Sequence, residues 1–180
     1  MPSGLFCQLL FIKRKRTPFV CEGMTEIEQA SREAIYQEII PQIKSLLDGE
    51  TNLIANLANV SAVLREAFGF FWVGFYLVEE SELVLGPFQG PVACTRIGHG
   101  RGVCGQAWAT AQTIVVPDVH AFPGHIACNA ASQSEIVVPV VRQGKVVLVL
   151  DVDSDRVDDF GEVDERCLDK VAGLISATLR

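Results

Sequence analysis

The sequence predicts an α+β domain, with helices from both chain ends packed on a central, mostly antiparallel sheet. Three observations predict it. Apolar residues recur at helical spacing near both ends of the chain, and aromatic and β-branched runs fill the middle. Most of those runs are joined by connections too short for parallel crossovers.

Residues 1–23 stand apart from the rest. Leu5–Ile12 is apolar and is followed by Lys13-Arg14-Lys15-Arg16, the reverse of a signal peptide's basic-then-apolar order. This segment reads as a flexible appendage to a single domain over 24–180. Thr25-Glu26-Ile27-Glu28 is a capping box, in which the Thr hydroxyl satisfies an orphan N–H and Glu28 reaches back. Ile27, Ala30, Ala34, Ile35, Ile39, Ile43, Leu46 and Leu47 then follow the helical period. Pro41 is expected to break or kink this helix, because it has no amide hydrogen. Thr51 is expected to cap a second helix that runs to about Phe68 and is closed by Gly69.

Strands are expected at 70–78 and 83–88, with a short extended piece at 93–97. The glycine loop 98–102 leads into a short helix ending near Ala111, and 113–116 is a strand stopped by Pro117. A long loop covers 117–134, and such loops are commonly functional. The apolar strands 135–141 and 145–153 are joined by Arg142-Gln143-Gly144, a hairpin signal. From Asp164 a last amphipathic helix turns Val163, Cys167, Leu168, Val171, Leu174 and Ile175 to one side.

Composition narrows the function. The chain has 180 residues, 49% hydrophobic and 21% charged, which suits one packed core. No apolar run reaches the ~20 residues needed to span a bilayer. Net charge is −7; the first 23 residues hold four basic residues and one acid, so 24–180 carries −10. A surface this acidic repels phosphate backbones, so nucleic acid is not an expected partner. The six cysteines come without a secretory signal, so a cytoplasmic, reducing setting is expected.

Cys94, Cys104 and Cys128 lie in or beside loops of the sheet region, where reactive thiols are placed. Cys104 falls in the first turn of the short helix, whose dipole favours an anion. Cys167 falls on an apolar stripe and reads as core. A zinc site drawn from Cys94, His99, Cys104, His120, His125 and Cys128 is the rival use of these atoms. Their spacing lacks paired Cys-x2-Cys knuckles, and neither a metal nor an organic cofactor is expected. Gly100-Arg-Gly102-Val-Cys-Gly105 matches G-x-G-x-x-G, but the tight hairpin after 135 does not suit a dinucleotide fold.

Acids inside apolar strands are the strongest local oddity. Glu135 precedes Ile136-Val137-Val138, while Asp151 and Asp153 end the run Val146–Leu150 and share one face by alternation. They either mark the strand's end or bind an ammonium group, or share a proton and donate it. Trp72, Gly74 and Tyr76 share a face of the first strand, as core or as an aromatic wall with Gly74 leaving room for a methyl or sulfur group.

Taken together, several stretches resemble the free methionine-(R)-sulfoxide reductase family, a catalytic branch of the GAF domains. They are Trp72-Val-Gly-Phe-Tyr76, Leu85-Gly-Pro-Phe-Gln-Gly90, Val92-Ala-Cys94 and Gly100-Arg-Gly-Val-Cys-Gly105. Pro117-Asp-Val-His120, Pro123-Gly-His-Ile-Ala-Cys128, Ser134-Glu-Ile-Val-Val-Pro139 and Leu150-Asp-Val-Asp-Ser154 complete the set, in the family's order over roughly 25–178.

The resemblance implies a GAF-like α+β fold, a homodimer, free methionine (R)-sulfoxide as substrate and thioredoxin or a similar dithiol as reductant. It implies Cys128 as nucleophile, Cys94 as resolving thiol and Cys104 as a third redox cysteine. Glu135, Asp151 and Asp153 would hold and polarise the substrate, with Trp72 and Tyr76 around its methyl end. Asn129 stands where the family suggests aspartate and Leu148 where it suggests glycine, and 1–23 has no counterpart. A non-catalytic GAF module sensing a small ligand is the alternative reading.

Overall fold

The computed structural model describes residues 26–179 except Ala127. The 1–23 appendage and the capping Thr25 lie outside the described residues. The chain runs α1 (Glu26–Leu47), α2 (Leu53–Phe68), β1 (Trp72–Glu79), β2 (Glu82–Gln89), β3 (Arg96–Gly98) and α3 (Gly102–Thr110). It continues through β4 (Ile114–Val116), a 3-10 turn over Val119–Ala121, β5 (Ser134–Arg142), β6 (Lys145–Ser154) and α4 (Glu162–Thr178). The strands form one six-stranded sheet in the order β3-β2-β1-β6-β5-β4. Every neighbouring pair is antiparallel. No described helix is long and apolar enough to cross a membrane.

Alternation along the strands gives the sheet two faces with different partners. Val73 and Phe75 of β1, Ile136 and Val138 of β5, and Leu148, Leu150 and Val152 of β6 face α1, α2 and α4. There they meet Tyr36, Ile43, Leu57, Leu64, Leu168 and Ile175, all fully buried. At ~1.5–3 kcal/mol for each large apolar side chain removed from water, this face supplies most of the driving force. Cys167 packs here, as its stripe predicts, and so does Leu148. The opposite face carries Trp72, Tyr76, Val137 and Val149 beneath α3 and the long loop, with Val103, Ala107 and Val119 against them.

Three local readings change. Helix α1 continues through Pro41 without a break. Pro41 is exposed, while Tyr36, Ile39, Ile43 and Leu47 on either side are buried, so packing keeps the turns on both sides helical. The cap of α2 is Asn52 rather than Thr51, its Oδ1 accepting from the Ala55 N–H at 3.0 Å. Gly69 closes that helix, its N–H bonded to the Arg65 carbonyl at 2.9 Å. Between β5 and β6, Arg142 pairs with Lys145, leaving a two-residue turn at Gln143-Gly144. Both turn residues have positive φ, 50° and 76°, as a type I′ hairpin requires.

A buried ionic network ties the helices to the end of β6. Arg32 of α1 donates to the Asp159 carbonyl and to Asp164 Oδ2 at 3.0 Å. The Tyr36 hydroxyl donates to Asp164 Oδ1 at 2.8 Å, and the Ser154 hydroxyl to Asp159 Oδ2 at 2.5 Å. Removing the guanidinium leaves the buried Asp164 carboxylate without a cation, while Asp159 keeps Arg156 at 2.6 Å, an effect of about 3–5 kcal/mol. Arg32→Met is therefore expected to lower unfolding free energy by about that much in urea titrations. A loss under about 1 kcal/mol would mean that Asp164 finds another partner.

Candidate active site

The second sheet face brings the predicted site residues together. Asp153 of β6 lies between Trp72 of β1 and Glu135 of β5 in one cross-strand row. Two residues along, Asp151 lies between Gly74 and Val137. Period-2 alternation therefore points all three acids the same way, into a pocket that they line with Trp72, Tyr76, Cys104 and Cys128.

The aromatics hold a loop as well as a wall. Trp72 stacks on Phe88 with ring centroids 5.3 Å apart and on Tyr76 at 6.0 Å. The Trp72 indole N–H donates to the Pro91 carbonyl at 3.1 Å, and the Tyr76 hydroxyl to the Cys94 carbonyl at 3.0 Å. The segment carrying Cys94 is thus fastened to β1. The space expected above Gly74 for a methyl or sulfur group is already filled. A Cβ there would come within 2.3 Å of Phe88 Cβ and 2.6 Å of the Trp72 ring.

Helix α3 roofs the pocket. A Cβ on Gly105 would meet the Gly98 carbonyl at 2.5 Å, so only glycine lets the loop fold back on the helix. The Gly100 N–H bonds to the Gly105 carbonyl at 2.9 Å and the Arg101 N–H to the Gly98 carbonyl at 3.0 Å. The G-x-G-x-x-G pattern thus serves loop–helix packing. It sets Cys104, 4% exposed, with its Sγ 3.9 Å from Glu135 Oε1.

Cys94 and Cys128, 34 residues apart in sequence, are joined by a disulfide with Cα atoms 5.3 Å apart. Asn129 follows it, its side-chain oxygen accepting from the Ala131 N–H at 2.9 Å, so it shapes the turn after Cys128. Three residues before Cys128, His125 places Nε2 3.7 Å from Glu135 Oε2. In the sequence, His125 reads only as a candidate zinc ligand. Its spacing from Cys128 was the available signal. The exposed Arg101, also unanticipated, lines the pocket's rim.

The six candidate zinc ligands do not converge on one point among the described residues. Cys94 and Cys128 are bonded to each other, and His99 packs edge-on against Trp108 at 4.5 Å. What converges instead is Cys104 Sγ with the carboxyl groups of Glu135 and Asp151, all within 4.8 Å of one another.

Electrostatics gives this cluster its chemistry. Burial, then the charges of Asp151 and Asp153, pushes the Glu135 carboxyl well above the usual range. Burial and then Asp153 do the same to Asp151, one of whose oxygens is buried without a hydrogen-bond partner among the described residues. Burial raises Asp153 to about 6, against a hydrogen bond from Ser132. The Cys104 thiol is pushed well up by burial and then by Asp151 and Glu135, so it is a donor rather than a thiolate. Burial, then nearby His120, lowers His125, leaving a neutral imidazole at neutral pH. A pocket of this kind holds protons beside sulfur.

Fold and site together define a GAF domain, and residues 53–180 match that family. The chain is 59% identical to GAF domain-containing protein A of Dictyostelium discoideum, over 83% of this chain and 96% of that one. It is 47% identical to the free methionine-R-sulfoxide reductase of Escherichia coli, over 80% of this chain and 88% of that one. The free methionine-R-sulfoxide reductase of Neisseria meningitidis, solved with its substrate, superposes with a TM-score of 0.81. That match has 55% identity and covers 82% of this chain and 89% of the other. The chain belongs to the free methionine-R-sulfoxide reductase family, oxidoreductases built on the GAF domain.

Raised carboxyls make stability fall with pH. Glu135, Asp151 and Asp153 bind protons more tightly folded than unfolded, where carboxyls titrate near ~4. Their stabilising protonation is complete below that value and is lost as pH rises, through about 6 for Asp153. Thermal melts of the oxidised protein should therefore show Tm falling over about pH 4–7, with Asp153→Asn reducing the slope. An identical slope in the variant would show that Asp153 titrates alike in both states.

Proposed function

We propose that the protein reduces free methionine (R)-sulfoxide to methionine using the Cys128 thiol. The observation that carries this reading is the Cys94–Cys128 disulfide beside a pocket lined by three raised carboxyl groups. Both thiols needed for a two-electron reduction are already within bonding reach, and the acids needed to expel oxygen stand next to them.

The Cys128 thiolate attacks the sulfoxide sulfur. The oxygen is a poor leaving group, and a protonated carboxyl, Glu135 or Asp151, supplies the proton that makes it a better one. Oxygen passes to Cys128 as a sulfenic acid, and the sulfide, methionine, departs. The Cys94 thiol then condenses with the sulfenic acid, forming the disulfide and releasing water. Thioredoxin or a similar dithiol restores both thiols by exchange. No resident metal or organic cofactor enters these steps.

The same residues account for preference for the free amino acid. Asp153 and its neighbours offer carboxylate to the α-ammonium group, which methionine loses within a peptide. The amide hydrogens opening α3, with Arg101 at the rim, suit the α-carboxylate. The Trp72 and Tyr76 rings suit the methyl end. The Cys104 thiol, protonated and close to Glu135, is better placed to hold the acid cluster than to exchange disulfides. A cytoplasmic homodimer belongs to the same reading. A sensing module has no use for a disulfide at the pocket wall, which disfavours the non-catalytic alternative.

Reduced protein without added dithiol should convert one equivalent of the R epimer to methionine and none of the S epimer. Cys128→Ser should form neither methionine nor sulfenic acid, while Cys94→Ser should complete one turnover and accumulate the sulfenic acid. Full turnover by Cys128→Ser would end the assignment of the nucleophile.

A further inference from the structure

The acid cluster has a supply problem. Cys104, Glu135 and Asp151 are 4%, 6% and 6% exposed, under a roof formed by α3 and the long loop. Each time a carboxylic acid there gives its proton to the departing oxygen, it is left as a carboxylate in an apolar enclosure. Steady turnover requires a proton to return from water. Cys104 cannot deliver one, because its own thiol is sealed in the same enclosure.

We propose that His125 relays protons between solvent and Glu135, and so acts as a positioning residue of sulfoxide reduction working through that acid. This inference rests on the reductase reading above. Among the described residues, His125 is the imidazole set against the cluster, with Nε2 3.7 Å from Glu135 Oε2. Its side chain is 14% exposed, against 8% for Glu135, and it stands on the pocket's loop wall. A separation of 3.7 Å exceeds a direct hydrogen bond and suits one bridging water or a small loop movement.

The charges around His125 favour rapid passage over retention. Glu135 faces it from β5, and Asp151 and Asp153 of β6, Cys104 of α3 and Arg101 before α3 line the same pocket. Burial disfavours a resident positive charge on His125, and His120, on the same loop, adds to that effect. A neutral imidazole with one N–H and one free lone pair can take a proton from water as it gives one to Glu135. The freshly formed Glu135 carboxylate is the group that draws the proton inward.

The protons balance. Cys128 loses its thiol proton to solvent on becoming the thiolate. Glu135 gives its proton to the sulfoxide oxygen, which leaves sulfur as that oxygen bonds to Cys128. His125 returns one proton from solvent to Glu135. The sum is thiol plus sulfoxide giving sulfenic acid plus sulfide, and condensation with Cys94 then releases water.

The test is steady-state methionine formation at saturating R-sulfoxide and saturating dithiothreitol, with the parent protein, His125→Ala and His125→Gln. The expected result is a kcat lower by about tenfold or more in both variants, with KM for the sulfoxide little changed. Added imidazole should restore His125→Ala in a saturable manner and leave the parent unaffected. Glutamine keeps hydrogen bonding but cannot relay, so His125→Gln separates relay from bracing of the loop. Parent-like turnover in His125→Gln, or a loss in His125→Ala that imidazole does not recover, overturns the proposal. If the parent itself makes no methionine from either epimer, the reductase reading falls, and this inference with it.

Discussion

Three carboxyl groups are held on an apolar sheet face with no guanidinium or ammonium paired to them among the described residues. Burying such groups is expensive, and the usual compensations are a cation or a proton. The contrast within this one molecule is instructive. On the helical side, Asp159 and Asp164 are as deeply buried, and Arg32 stands against both. On the pocket side the compensating cation is withheld, and the acids keep protons instead. That difference separates an ion pair serving the fold from a cluster available for chemistry.

Withholding a cation is tolerable only because the rest of the structure leaves the acids nowhere else to go. Their backbone positions belong to β5 and β6, which pair along their whole length and are pinned from the far side by three helices. The Arg32 network reaches Ser154, the residue after Asp153, and so fixes the end of the strand carrying two of the acids. Loops complete the enclosure through specific fastenings, Trp72 to Pro91, Tyr76 to Cys94 and Gly100 to Gly105 of α3. Trp72 and Tyr76 therefore act twice, once as pocket surface and once as anchors of the cysteine loop.

Periodic features of the sequence were legible, and features created by the meeting of distant segments were not. The two apolar strands with embedded acids announced themselves, because alternation alone puts Asp151 and Asp153 on one face. The hairpin joining β5 and β6 was legible from local turn chemistry, although Arg142 belongs to the strand and the turn is only Gln143-Gly144. Pro41 misled, since its propensity is local while the packing of Tyr36, Ile39, Ile43 and Leu47 that overrides it is tertiary. The room expected at Gly74 was unreadable without knowing that Phe88 lies directly across on β2. His125 lies ten positions from Glu135 with an irregular loop between, and no periodicity relates them. The pairing of Cys94 with Cys128 likewise needs the fold, and only family resemblance suggested it from sequence.

An uncompensated acid cluster has a further consequence for a zwitterionic amino acid. Under the proposed function its ammonium group would bring to the three acids a positive charge that no lysine or arginine pairs with them among the described residues. One charge can settle one carboxylate, and Asp153, raised by burial to about 6, is able to ionise near neutral pH. Glu135 and Asp151, raised by burial and by their acidic neighbours, would then keep protons to donate. Substrate binding would thus divide the acids into one that anchors and others that protonate, without any resident cation to blur the division. A permanent lysine or arginine in the same place would ionise the whole cluster and remove its proton donors. The missing cation is therefore what would let three similar side chains take different roles in the proposed reaction.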